Sequence, residues 1–337
     1  MANLSTTYMG VPLKNPLILG ASSLVTKPDM IKQLEEAGIA AFVYRSLFEE
    51  QINLEAIQLE DEMAEYTNRN AESSSLFPSL KHAGPQEHLM NLRKFKESTS
   101  LPVFASLNAL LDETWVEYAK LLEETGIDGL ELNFYDVPTS FDTDAASIEK
   151  QQVELVKKIK KTVSIPISVK LSSFYTNPLH FIKQLDKAKV DGIVIFNRFF
   201  QPEIDTGEET FYYPFELSKE RDYQLTLRFA GLLYGNIKAS IAGTRGIYES
   251  HQALKLLLAG ADVLQVVSTV YKNGPKQIEQ ILFEIETWMD KHAYKELDEL
   301  KGKLSHMNLK NPYAYQRAQY VDILMNSNEI IKLNPMV

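Results

Sequence analysis

Cysteine is absent from all 337 residues. This excludes disulfides, a thiolate nucleophile, and zinc or iron–sulfur centres held by thiolates. Basic residues are also scarce. Lys and Arg number 35 against 45 Asp and Glu, giving a net charge of -10 and a pI near 5.3. A surface of that sign repels polyanions, so nucleic acid is not an expected partner. No apolar run approaches the ~20 residues that a membrane-crossing helix needs. The opening stretch Met1-Ala2-Asn3-Leu4-Ser5-Thr6-Thr7 shows neither the basic nor the apolar region of a secretory signal. The expectation is a cytoplasmic protein acting on or binding small molecules, with no metal site.

What is present is a repeated alternation. Short apolar runs, several of them closed by small or polar residues, are each followed by a segment of helical period. The runs are Asn15 to Gly20, Ala40 to Arg45, Pro102 to Leu107, Gly129 to Asn133, Pro166 to Leu171, Gly192 to Asn197, Ser240 to Thr244 and Ala261 to Val267. Continuous apolar runs fit parallel strands covered by helices on one side and by a filled interior on the other. Eight strand–helix units in one chain predict an α/β fold, a TIM (β/α)8 barrel. A doubly wound sheet would need a glycine-rich fingerprint after its first strand, and Gly20-Ala21-Ser22 does not supply one. The barrel is expected to span residues 1–303, with an active-site loop near 51–84. Residues 304–337 are expected to form an extension packing on the barrel or on a neighbouring subunit.

In such a barrel, polar residues at the C-terminal strand ends face the active site. They are Ser22, Arg45, Asn108, Asn133, Lys170, Asn197, the turn Gly243 to Gly246, and Ser268-Thr269. Lys170 sits inside Ile167-Ser168-Val169-Lys170-Leu171, so it either reaches the barrel mouth or is buried at considerable cost. Small residues after strands seven and eight suit a phosphate, because glycine lets the backbone approach and helix N-termini offer free N–H groups.

With these residues placed, the chain resembles the dihydroorotate dehydrogenase family of FMN-dependent barrels from about Leu4 to Lys303. The resemblance is carried by Asn15-Pro16 with Gly20-Ala21-Ser22, by Leu130-Glu131-Leu132-Asn133 and by Val169-Lys170-Leu171. Phe196-Asn197 and the span from Ala242-Gly243-Thr244-Arg245-Gly246-Ile247 to Lys272-Asn273-Gly274-Pro275 extend it. It implies FMN across the barrel mouth. Gly20, Ala21 and Ser22 would line the flavin ring, and Lys170 would lie near its N1/O2 edge. Gly243, Thr244, Arg245, Gly246, Ser268 and Thr269 would hold the phosphate. Asn108 would bind flavin, and Asn133 and Asn197 the substrate.

The chain departs from the family pattern at several positions. Arg45 stands where the family has lysine, Arg245-Gly246 replaces a glycine pair, and Val267 replaces a later glycine. The family's substrate loop is not recognisable in Glu72 to Pro78. Where the soluble class carries its cysteine base, an ungapped match gives Asp136, with Tyr135 or a loop serine next in line. The membrane-bound class uses a serine elsewhere and a membrane segment that this sequence does not show.

The resemblance implies oxidation of dihydroorotate to orotate in pyrimidine biosynthesis, with hydride passing to flavin N5 and a side-chain base taking a proton. Asp136 and Lys170 are the expected catalytic residues, and Arg45, Asn133 and Asn197 the expected substrate contacts. Two alternatives stand beside this. One is a flavin dehydrogenase of the same fold with another small cyclic or carboxylated substrate, and the other is a barrel that binds a phosphorylated metabolite without redox chemistry. Without cysteine for a cluster, electrons are expected to leave through a soluble acceptor or a redox partner protein. A homodimer is what the family suggests.

Overall fold

The computed structural model describes residues 2–54 and 85–325. A hairpin of β1 (Thr6–Tyr8) and β2 (Val11–Leu13) opens the chain, turning through Met9 and Gly10 at positive φ. Six strands follow in order: β3 (Leu17–Leu19), β4 (Ala41–Phe48), β5 (Val103–Asn108), β6 (Gly129–Phe134), β7 (Ile167–Leu171) and β8 (Gly192–Ile195). A second hairpin, β9 (Glu203–Asp205) and β10 (Thr210–Tyr212), precedes β11 (Ser240–Thr244) and β12 (Val263–Val266). The strands β3 to β8, β11 and β12 close into one barrel with every pairing parallel. The predicted fold is therefore observed.

The helices are α1 (Pro28–Glu36), α2 (Gln86–Ser98), α3 (Asp112–Glu123), α4 (Ala145–Thr162), α5 (Pro178–Lys187), α6 (Tyr223–Leu233) and α7 (Ser250–Ala259). They are followed by α8 (Ser268–Asn273) and α9 (Lys276–Lys291). Local chemistry fixes several of their starts. The Asp144 carboxylate accepts from the Ser147 amide at 2.9 Å, and Pro178 occupies the first turn of α5 behind the Asn177 cap. Glu249 and Gln252 form a reciprocal box that satisfies free amides at the start of α7. Helix α8 was not expected from the sequence, and it intervenes between β12 and the longer α9.

Strand alternation divides the side chains. On β6, Leu130, Leu132 and Phe134 join the core between barrel and helices, while Glu131 and Asn133 turn inward. A smaller interior core holds Ile18, Val43, Phe104, Val194, Ala242 and Val263. The β1–β2 hairpin closes the barrel at its N-terminal end. Tyr8, 1% exposed, meets Phe104 edge to face at 5.4 Å.

The alternation breaks once, on β4. Tyr44 pairs with Ala105 but Leu47 pairs with Leu107, so β4 carries an extra residue there. Beyond the barrel, the Leu304 amide donates to Leu258 O and the His306 amide to Gly231 O, both at 2.8 Å. Arg228 Nη2 donates to Gln319 Oε1 at 3.0 Å. Most of the expected loop at 51–84, with its candidate serines, lies outside the described residues. Among those described, no helix is long and apolar enough to cross a membrane.

Candidate active site

At the C-terminal mouth of the barrel lies a cavity of about 380 Å³, within the range of small-molecule and cofactor sites. One wall is Gly20-Ala21-Ser22-Ser23 after β3, and the next is Val266-Val267-Ser268 after β12. Thr244-Arg245-Gly246-Ile247 after β11 and Asn197-Arg198 after β8 continue the ring. Lys170 and Gln265 rise from the floor, while Phe200, Phe215 to Ser218 and Tyr271 close the outer side. Sequence reasoning placed Gly20, Ala21, Ser22, Lys170, Asn197, Thr244, Arg245, Gly246 and Ser268 at a binding site, and one cavity collects them all.

The turn after β11 is built on two consecutive left-handed residues, Arg245 (φ 73°) and Gly246 (φ 63°). A Cβ on Gly246 would stand 2.7 Å from Lys219 O and 2.8 Å from the Tyr223 amide, so glycine is required there. Arg245 adopts a conformation that costs a side-chain-bearing residue about 1–2 kcal/mol. Its Nη2 reaches Asp222 at 3.3 Å, and Arg198 Nη1 approaches the same carboxylate at 3.8 Å. Arg198 Nη2 also bonds Glu216 at 2.8 Å. Ser218 straps the outer side down: its amide donates to Ser268 Oγ at 3.1 Å, and its carbonyl accepts from the Tyr248 hydroxyl. Between the adjacent walls after β3 and β12, the Ser23 and Tyr271 hydroxyls meet at 2.7 Å.

Three residues lining this cavity each carry a buried polar atom with no hydrogen-bond partner: Ser22 Oγ, Arg198 Nη1 and Arg245 Nε. Buried donors are normally satisfied. Three orphans around one cavity, two of them on guanidinium groups, suit an anionic ligand rich in oxygen.

Other expected residues sit nearby without lining the cavity. Asn108 Nδ2 donates to Asn133 O at 2.7 Å, and Asn197 Nδ2 to Asn133 Oδ1 at 2.6 Å. The three asparagines thus form a chain of which only Asn197 faces the cavity. Gly243 packs outward against Leu264, Leu256 and Thr226. Thr269 is fully buried, with its hydroxyl turned to Tyr248 O.

Two expectations need correction. Arg45 does not face the mouth. The β4 bulge gives the inward position to Ser46, which meets Ser106 Oγ at 2.7 Å. Arg45 instead lines a separate groove between α1 and α2, beside Tyr44 and Phe95. There it adds to burial in pushing nearby His88 down to about 4. Asp136 does not face the cavity either. It lies two residues beyond outward-facing Phe134, past the end of β6. It is exposed in a groove with Phe134, Ile148 and Tyr175. Tyr135 stacks on Phe199 at 5.0 Å and accepts from the Phe200 amide, away from the floor.

Gln265, which the strand-end reading left out, lines the cavity, and Glu131, also left out, lies beneath it bonded to Gln265. Each is a polar residue inside an apolar strand, Leu130-Glu131-Leu132 and Leu264-Gln265-Val266. The burial argument that singled out Lys170 applies to them equally. Arg198 lies one residue past the strand-end position considered, and the strap at 215–218 is far from any strand end in sequence.

The fold and cavity define a (β/α)8 barrel with its binding site at the C-terminal mouth. Residues 77–289 match the family model for dihydroorotate dehydrogenase. The chain belongs to the dihydroorotate dehydrogenase family, whose members are oxidoreductases acting on CH–CH bonds. It is 24% identical over 311 residues to the catalytic subunit of dihydroorotate dehydrogenase B (NAD(+)) of Thermoplasma volcanium, covering 90% of this chain and 98% of that one. The Methanocaldococcus jannaschii catalytic subunit of the same name is 24% identical over 307 residues, covering 89% and 97%. Dihydroorotate dehydrogenase A (fumarate) of Lactobacillus helveticus is 27% identical over 228 residues, 65% of this chain and 72% of that one.

Proposed function

We propose that this protein is an FMN-dependent dehydrogenase that oxidises dihydroorotate to orotate, a step of pyrimidine biosynthesis. The observation that carries the reading is the collection of Lys170, Asn197 and the Thr244 to Gly246 turn around one cavity, whose lining includes three buried polar atoms without a hydrogen bond. Arg245, Gly246 and Ser268 would hold the phosphate, with Arg198 beside them. Gly20, Ala21 and Ser22 would line the ring, and Lys170 would stand at its edge. FMN, when bound, supplies the hydride acceptor. The chain's own part is to orient the substrate through Asn197, backed by Asn133 and Asn108, and to keep a positive charge at the floor through Lys170. Phe200, Phe215 and Tyr271 supply an aromatic rim on the outer side.

A second reading is favoured by the placement of Asp136 and Arg45 outside the cavity. It is a dehydrogenase of the same fold acting on another small cyclic or carboxylated substrate. Non-redox binding of a phosphorylated metabolite is the third. Purified protein that carries FMN separates the first two from the third. Anaerobic addition of dihydroorotate, followed by loss of the flavin's visible absorbance, then separates the first from the second. Finding no flavin after reconstitution would defeat both redox readings.

Electrons would pass onward to a soluble acceptor or a redox partner protein, a reading supported by relatives named as catalytic subunits. A homodimer in the cytoplasm fits the family resemblance. The division into a barrel at 1–303 and an extension at 304–337 is likewise proposed, supported by the contacts of Leu304 and His306 with the barrel helices.

A further inference from the structure

Beneath the cavity, three side chains of the barrel interior form one polar cluster. Gln265 Nε2 donates to Glu131 Oε2 at 2.6 Å. These residues come from the fourth and eighth barrel strands, so the bond crosses the barrel. Lys170 Nζ stands 3.4 Å from Glu131 Oε1 and 3.4 Å from Gln265 Oε1. The amide of Gln265 therefore has one orientation that serves both neighbours, its NH2 toward the carboxylate and its oxygen toward the ammonium.

Glu131 is 1% exposed, whereas the Lys170 side chain keeps 13% and lines the cavity. Glu131 does not line it. Below Glu131 lies the Tyr8 hydroxyl, held above the usual phenol range by burial and then by the Glu131 carboxylate. A buried carboxylate is costly unless its partners satisfy it. Among the described residues, the one charge within ion-pair distance of it is the lysine at the cavity floor. Hydrophobic side chains would fill the same volume without that cost, so packing alone does not account for the pair.

We propose that Glu131 and Gln265 are positioning residues. They fix the Lys170 ammonium at the floor and offset part of its charge, so that they set how strongly the site favours reduced over oxidised FMN. Neither needs to touch the cofactor. The carboxylate acts through the lysine, and the amide holds both in register. This rests on the FMN reading above. Glu131 is buried 3.4 Å from the Lys170 ammonium, so its pull on that group is weakly screened and its removal is felt there.

The test measures the dissociation constants of oxidised and reduced FMN, or equivalently the midpoint potential of bound FMN, alongside thermal unfolding. In Glu131→Gln the shape is kept and the charge removed. The ratio of the two constants is expected to move tenfold or more toward tighter binding of the reduced form. For a two-electron couple that is about 30 mV upward. In a Lys170→Met background the same change should produce no such rise, because the group through which it acts is gone.

If Glu131→Gln does not fold, Gln265→Leu serves instead. Without the amide that holds each of them, the carboxylate and ammonium close from 3.4 Å to a shorter pair and the potential falls, whereas a folded Gln265→Leu protein at the parent potential would overturn the inference. A folded Glu131→Gln protein that binds FMN at the parent potential would overturn the inference while leaving the proposed function intact. Absence of FMN binding in the parent would remove that function and this inference with it.

Discussion

Lys170 is the residue on which the floor of the cavity turns, and its replacement by alanine has a definite expected outcome. On the FMN reading, binding should persist in part, since the proposed phosphate contacts are elsewhere. Flavin reduction in single turnover should slow by ~10²–10³, the usual effect of removing one preorganised electrostatic partner. Asp136 is exposed in a neighbouring groove. Asp136→Asn should therefore leave dihydroorotate-driven reduction within a few-fold of the parent, and its abolition would place the base at Asp136 after all. His88 makes a prediction about pH. Its folded value near 4 lies below the ordinary 6.5, so between these values the unfolded chain binds a proton that the folded chain refuses. Stability should fall by up to roughly 3 kcal/mol as pH drops through that window and level off below it. Urea titrations of parent and His88→Phe across it should diverge, with the variant the flatter. Lys170 was legible in the sequence because a charge inside an apolar run demands an explanation. The outward turn of Asp136 was not legible, because the phase of a strand end depends on where pairing stops.

Among the elements, the β1–β2 hairpin and the strap at 215–218 were the least visible in the sequence. Each is short, and each gains its stability from the barrel it touches rather than from its own period. The hairpin closes the barrel bottom chiefly through Tyr8, buried against Phe104. Tyr8→Ala should cost ~3–5 kcal/mol, the range for removing a large buried ring. Chemical denaturation would show this as a lower midpoint with little change in slope. A loss under 1 kcal/mol would mean that the hairpin is an accessory. The β4 bulge was equally hidden. Ala41 to Phe48 reads as a regular strand, and only pairing with β5 shows that Tyr44 and Leu47 are one residue too far apart. That one residue moved Arg45 from the mouth to the flank. By contrast, the eight barrel strands and their principal helices were readable from apolar runs and helical period, because burial on both faces leaves a continuous signature.

At the scale of the whole molecule, cofactor binding and folding should be linked. At a concentration one hundred times its dissociation constant, FMN should stabilise the fold by ~2.7 kcal/mol. Riboflavin, which lacks the phosphate, should do far less if Arg245 and its neighbours hold that group. Thermal unfolding with each ligand decides the matter, and equal shifts would count against the phosphate cradle. The cavity also imposes an order in time. Its walls include residues from the first barrel strand and from beyond the last, and Ser23 meets Tyr271 across 248 positions of sequence. On a ribosome adding ~5–20 residues per second, that interval is on the order of 10–50 s. For that long the early walls exist without their counterparts, so a nascent chain has no pocket to offer. On the FMN reading, cofactor loading is a late event of biosynthesis, and a stalled chain ending before Tyr271 should emerge without flavin however much of the barrel it has made.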